Sequence, residues 1–125
     1  MTSQAAEVRV LNEPLAASPA RVHFGSILLD RAACEVTVAG VPIALTAREL
    51  ELLFYLSDRA GRLMTRAQLV SEVWGPSYEG GSRTVDIHVS RLRRKLGRDL
   101  PLTTLRRVGY RLDAPNSSTT NGIEK

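Results

Sequence analysis

The residues with most to offer chemically are arginines. Between Arg83 and Arg111 stand nine basic side chains: Arg83, Arg91, Arg93, Arg94, Lys95, Arg98, Arg106, Arg107 and Arg111. Only Asp86 and Asp99 oppose them. A guanidinium group is planar and always charged. Its fork of donors matches the paired oxygens of a phosphate or the O6/N7 edge of a guanine. The net charge of the whole chain is +4, so the excess is local, and residues 1–20 carry Arg9 against Glu7 and Glu13. Concentration of this kind is the footprint of a polyanion site; a solvated charged face is the bland alternative.

Spacing sharpens that reading. Val85, Val89, Leu92 and Leu96 recur four, three and four residues apart. At about 100° per residue they fall on one stripe of a helix, which must be its core face. The spacing predicts a helix over 82–96, stopped by Gly97. Arg83, Ile87, Ser90, Arg91 and Arg94 then point away from the core, and Arg98 continues the line. An isoleucine set among arginines suits a major groove, with Arg91 on guanine O6 and N7 and Ile87 on a thymine methyl. A scattered surface hydrophobe is the alternative for Ile87. Thr84 and His88 flank the row and suit phosphate contacts, which fix register rather than sequence. His88 lies near the apolar edge and equally suits a structural role. Asp86 sits between the two faces, placed to orient an arginine or cap an amide.

The elements that must hold this helix can be read outward from it. Before it, Thr46 with Glu49 and Thr65 with Gln68 form two capping-box signatures, each followed by an apolar stripe. Leu50, Leu53, Phe54 and Leu56 supply the first stripe, with Gly61 as a stop. Leu69, Val70, Val73 and Trp74 supply the second, ended by Gly75-Pro76. Trp74 reads as core, with an indole N–H able to reach a phosphate. Arg66, in a helix first turn that favours an anion, is another backbone-contact candidate. Further upstream, β-branched runs at 22–24, 27–29, 34–38 and 41–44 predict a small antiparallel sheet, with Gly40 in a tight turn. After the basic helix, strand-like runs at 103–108 and 110–113 surround Gly109. They carry Thr104, Arg106, Arg107, Tyr110 and Arg111. A hairpin so charged can reach a minor groove, with Thr104, Arg106, Arg107 and Tyr110 as its candidate DNA contacts, although Tyr110 suits packing with one hydroxyl hydrogen bond better than free stacking on a base. The expected architecture is α+β: a winged helix-turn-helix with an N-terminal four-stranded antiparallel sheet, three helices and a C-terminal β-hairpin wing.

Composition excludes other classes. With 43% hydrophobic but only 5% aromatic residues, the core must be aliphatic. The single cysteine, Cys34, rules out a disulfide framework, and with only His23 and His88 beside it a metal site is not expected. No apolar run approaches the roughly 18 residues of a membrane span, and no secretory signal opens the chain, so a cytoplasmic protein is expected. There is no Gly-rich phosphate loop and no nucleophile paired with a base, so neither an enzyme nor a cofactor is expected. Glu49 and Glu51 are accounted for by capping and surface charge. Residues 1–21 read as a flexible tail or linker, 22–113 as the domain and 114–125 as a disordered tail.

The stretches LTARELELL (45–53), RAQLV (66–70), VWG (73–75), RTVDIHVSRLRRKL (83–96) and RRVGYR (106–111) together resemble the OmpR/PhoB family of response-regulator effector domains. The resemblance implies sequence-specific binding of double-stranded DNA, on direct-repeat half-sites and as head-to-tail pairs, with transcriptional regulation as the outcome. It places Arg83, Ile87 and Arg91 against the major groove, and Arg66, Trp74, Thr84, His88 and Arg94 on the backbone. It puts Arg106 or its neighbour in the minor groove. It likens the loop 75–81 to a segment that touches RNA polymerase in some members; a plain connector is the alternative. Two positions depart from the pattern. Ser90 stands where a basic residue is common, and Arg107 where a glycine is common. The resemblance also implies an acidic receiver domain ahead of the linker, which residues 1–21 are too few to form. A winged-helix protein-interaction module is the competing function.

Overall fold

A computed structural model describes residues 20–114. The expected tails, save for residues 20, 21 and 114, lie outside that range. Four strands open the fold: β1 (Arg21–Phe24), β2 (Ile27–Asp30), β3 (Glu35–Val38) and β4 (Val41–Pro42). They form an antiparallel sheet in sequence order. Its β1–β2 and β3–β4 hairpins turn on two residues each, and β2–β3 on the four residues 31–34. Ala39 and Gly40 both have positive φ, 53° and 83°, which matches the twist of the strands they join. Phe24, Ile27, Leu29 and Val36 are buried on the inner face. The β1–β2 turn is also latched to a distant segment: the Ser26 amide and hydroxyl both donate to Asp99 Oδ2. Those bonds hold the Asp99 carboxyl below its ordinary range.

The first helix, α1 (Ala47–Asp58), starts in the expected capping box. Thr46 Oγ1 accepts from the Glu49 amide at 3.1 Å, and the Thr46 amide donates to Glu49 Oε1 at 2.9 Å. The buried face differs from the sequence reading, being Glu49, Leu52, Leu53 and Leu56, with Leu50 and Phe54 only half-buried. Glu49 is 0% exposed, so surface charge does not account for it. What lets it go inside is Lys95, whose Nζ lies 2.7 Å from Oε1.

A strand that the sequence did not announce, β5 (Met64–Thr65), leads into α2 (Arg66–Leu69). The second capping box is present, with the Gln68 amide donating to Thr65 Oγ1 at 3.1 Å. The helix then widens into a π turn over Val70–Trp74, closed by the Gly75 amide on the Val70 carbonyl at 2.9 Å. After the loop, α3 (Arg83–Leu96) follows, one residue shorter than expected at its start, with Ser82 as an N-cap that makes no side-chain cap bond. Its Val85, Val89, Leu92 and Leu96 are all at most 2% exposed, as the four-three-four spacing requires. A short 3-10 turn (Gly97–Asp99) leads to β6 (Leu102–Leu105) and β7 (Gly109–Leu112).

The C-terminal hairpin is therefore there, but it belongs to a three-stranded sheet ordered β5-β7-β6. Gly109 is not its turn. It pairs with Thr65 and Leu105 as the first residue of β7. A Cβ at Gly109 would run into the Met64 carbonyl oxygen and lie 2.8 Å from Thr65 Cα. The missing side chain is what lets β5 approach. The turn itself is Arg106–Arg107–Val108, closed by the Val108 amide on the Leu105 carbonyl at 2.9 Å, with Arg107 at φ 65°.

Candidate nucleic-acid interface

The outer face of α3 collects what its spacing promised. Arg83, Asp86, Ile87, Ser90, Arg91 and Arg94 line one open depression. Ile87 is 44% exposed, and Arg83, Arg91 and Arg94 are exposed around it. Among the described residues Arg91 and Arg94 make no ion pair, whereas Arg83 feels the field of Asp86. Four exposed side chains thus present three positive charges and one apolar contact on a face whose opposite side is sealed in the core.

Asp86 sits at the rim of this face and ties three elements together. Its Oδ1 accepts from Tyr110 Oη of β7 at 2.6 Å and from Arg66 Nε of α2 at 2.7 Å. Partial burial alone would push the Asp86 carboxyl up, but the bonds from Tyr110 and Arg66 outweigh it and hold it below the ordinary carboxylate range. The same pair raises Arg66 through its bond to Asp86. Tyr110 is raised by burial first and by Asp86 second. The anticipated role for Asp86, orienting an arginine, is met by Arg66.

Tyr110 is where the wing assignment needs correction. It is 4% exposed with its hydroxyl committed to Asp86, so it packs inside as a strut and is not presented to solvent by the wing. The apolar residues of β7 face the core, and a phenol bonded to a carboxylate can join them there. Thr104 is exposed, yet its Oγ1 already accepts from Arg93 Nη2 at 2.8 Å. Arg106 and Arg107 are exposed at the tip. Arg111 is half-buried and paired with Asp113 at 2.8 Å.

The flank of α3 toward α2 is aromatic. Trp74 is half-buried, packed edge-on against His88 at 5.0 Å, with Arg48 over its ring at 5.5 Å. Arg48 Nη1 also donates to the Val73 carbonyl at 2.7 Å, inside the π turn. The His88 Nδ1 lies 2.9 Å from the Thr84 carbonyl, which can only accept, so Nδ1 carries the proton. In the loop 75–81, Tyr78 folds over Gly80, where a Cβ would collide with its ring, and lies 6.2 Å from Trp74.

Sequence reasoning missed three of these connections. Arg48 and Arg93 both look like surface charge in the sequence, and the Glu49–Lys95 pair joins positions far apart in the chain. The burial of Glu49 at N3 of α1 carries no sequence signal, since a capping glutamate normally faces water, and its partner's position cannot be read from periodicity.

A helix-loop-helix, a basic second helix of the pair and a β-hairpin packed beside it define a winged helix-turn-helix domain. Residues 40–112 match the family described as transcriptional regulatory protein, C terminal. The sensory transduction protein RegX3 of Mycolicibacterium smegmatis is 39% identical over 106 residues, covering 82% of this chain and 46% of that protein. The transcriptional regulatory protein AfsQ1 of Streptomyces coelicolor is 47% identical over 97 residues, covering 74% of this chain and 43% of that protein. The DNA-binding domain of Klebsiella pneumoniae RstA, solved in complex with RstA box, superposes with a TM-score of 0.66 at 32% identity over 74% of this chain and 96% of that one. The chain belongs to the family of C-terminal domains of transcriptional regulatory proteins. It spans a little under half the length of the two curated relatives. No helix among the described residues is long and apolar enough to cross a membrane.

Proposed function

We propose that this chain binds double-stranded DNA sequence-specifically and thereby regulates transcription in the bacterial cytoplasm. The observation that carries the reading is the outer face of α3, where Arg83, Arg91 and Arg94 surround an exposed Ile87 opposite a fully buried stripe. Arg83, Ile87 and Arg91 read base edges in the major groove, and Arg94 and Thr84 hold the backbone. His88, whose Nδ1 donates to the Thr84 carbonyl, flanks the row on the backbone side. Trp74 and Arg66 contribute at the α2 flank, with Arg66 anchored by Asp86. Arg106 and Arg107 enter the adjacent minor groove, while Thr104 and Tyr110 hold the wing that carries them. Head-to-tail pairing on direct repeats follows the family resemblance, as does contact of the loop 75–81 with RNA polymerase, for which the exposed Tyr78 and Pro76 offer the surface.

Base readers and backbone holders fail differently. Selection from randomised duplexes gives the operator, and gel-shift titration at two salt concentrations then compares two variants. Arg91→Ala should lose about 1–3 kcal/mol of discrimination at one base pair. Arg94→Ala should weaken all sequences alike and lower the salt slope by about one. Identical behaviour of the two variants, or binding that ignores salt, overturns the assignment.

A further inference from the structure

Along the chain the basic helix and the wing are joined only by the short segment 97–101. Here a side chain of the helix grips the wing directly. Arg93 Nη2 donates to the Leu102 carbonyl at 2.7 Å and to Thr104 Oγ1 at 2.8 Å, both in β6. Its guanidinium carbon lies 5.8 Å over the Tyr110 ring of β7. About two turns closer to the N-terminus of α3, Asp86 accepts from the Tyr110 hydroxyl. The helix therefore holds both strands of the hairpin, each through a hydrogen-bonded charged group. Arg93 is set apart from its neighbours Arg91 and Arg94, which make no such bonds among the described residues.

We propose that Arg93 is a positioning residue for DNA recognition: it fixes the angle between α3 and the wing, so that Arg106 reaches the minor groove at a set distance from the bases read by Arg91. This rests on the reading of the wing as a minor-groove contact. Arg93 acts through the wing and not as one more phosphate contact. Both acceptors of its Nη2 are protein atoms, and one is a backbone carbonyl that no other side chain of α3 reaches. Both bonds leave one nitrogen while the rigid guanidinium plane lies over the Tyr110 ring, and a lysine, whose ammonium sits on a flexible stem without that plane, loses the ring contact and the fixed direction of the two bonds.

The test is a double-mutant cycle on an operator duplex selected by the wild-type chain. Arg93→Lys and Arg106→Ala are measured singly and together, by titration at two salt concentrations. Each single variant should lose affinity roughly tenfold, the scale of one lost specific contact. The double variant should be no weaker than Arg106→Ala by more than about twofold, because the two act as one unit. The salt slope of Arg93→Lys should equal the wild type. Losses that multiply, or full rescue of Arg93 by lysine, overturn the proposal and return Arg93 to the phosphate contacts. An unaltered affinity of Arg106→Ala overturns the wing reading and the coupling with it, a signature distinct from multiplying losses. Thr104→Val removes one acceptor without touching any charge, and it covers the case in which Arg93→Lys fails to fold. It should also lose affinity non-additively with Arg106→Ala, and additive behaviour refutes the coupling.

Discussion

Lys95→Met removes the partner of a carboxylate that has nowhere else to turn. Glu49 is 0% exposed, its Oε1 accepts from Lys95 Nζ at 2.7 Å and the Thr46 amide at 2.9 Å, and its Oε2 is buried with no protein partner. Breaking a buried ion pair by deleting one member costs about 3–5 kcal/mol, since the survivor stays charged and buried. Two features reduce that here. The Thr46 amide remains, and the Lys95 side chain is 34% exposed, so part of its field is already screened. An expected loss of roughly 2–4 kcal/mol follows. For a domain of this size that is a fall of more than about 10 °C in Tm. The pH dependence is the sharper readout. In the wild type, burial pushes the Glu49 carboxyl up, but Lys95 and the Thr46 amide outweigh it, leaving it below the ordinary value of 4.5. That contribution is complete above pH 4.5 and is lost as pH falls through the depressed value. Without Lys95 burial dominates, the carboxyl rises above its unfolded value, and the variant should gain stability as pH falls toward 5 while the wild type does not. Urea titrations across pH 4–8 measure both slopes. Adding Glu49→Gln to Lys95→Met should recover part of the loss. A Lys95→Met cost under about 0.5 kcal/mol, the range of an ordinary surface change, with an unaltered pH slope refutes the reasoning.

Three further substitutions probe the hairpin and its mooring. Gly109→Ala should destabilise by about 2 kcal/mol or more, because β5 must move away from the new methyl group; thermal melting reads it, and a neutral result would show that the β5–β7 approach is soft. Arg107→Gly relieves a left-handed backbone at φ 65°. It should raise stability by up to about 1 kcal/mol while weakening DNA binding, so stability and affinity move in opposite directions. Tyr110→Phe leaves Asp86 with Arg66 alone and should cost about 1.5–3 kcal/mol in denaturant unfolding, the worth of a hydrogen bond to a charged group.

The long, periodic parts of the fold were open to sequence reasoning. Val85, Val89, Leu92 and Leu96 can lie inside together only on a helix, and that one inference fixes which arginines are outside. Capping boxes at Thr46 and Thr65 are local chemistry, complete within four residues, and they start α1 and α2 where the structure starts them. What stayed hidden depends on contacts between distant segments. Met64 and Thr65 are too few to show a pattern, and they become a strand only because β7 lies beside them. Gly109 looks like a turn residue since glycine most often is one, yet here it serves a close approach of backbones. Glutamate at N3 of a helix normally faces water, so a buried Glu49 could be foreseen only by knowing where Lys95 ends up. Tyr110 sits beside the arginines in sequence and beneath them in space.

The Ser26–Asp99 latch makes the N-terminal sheet and the end of α3 a single lever. Gly25 adopts φ 61°, and a Cβ there would sit 2.9 Å from the Asp99 carboxyl, so the turn is seated against the segment that immediately follows the basic helix. A pull on β1 is passed through two hydrogen bonds to a point three residues beyond Leu96. Load applied at the sheet therefore need not cross the core to be felt by the helix; it arrives through the turn in which the helix ends.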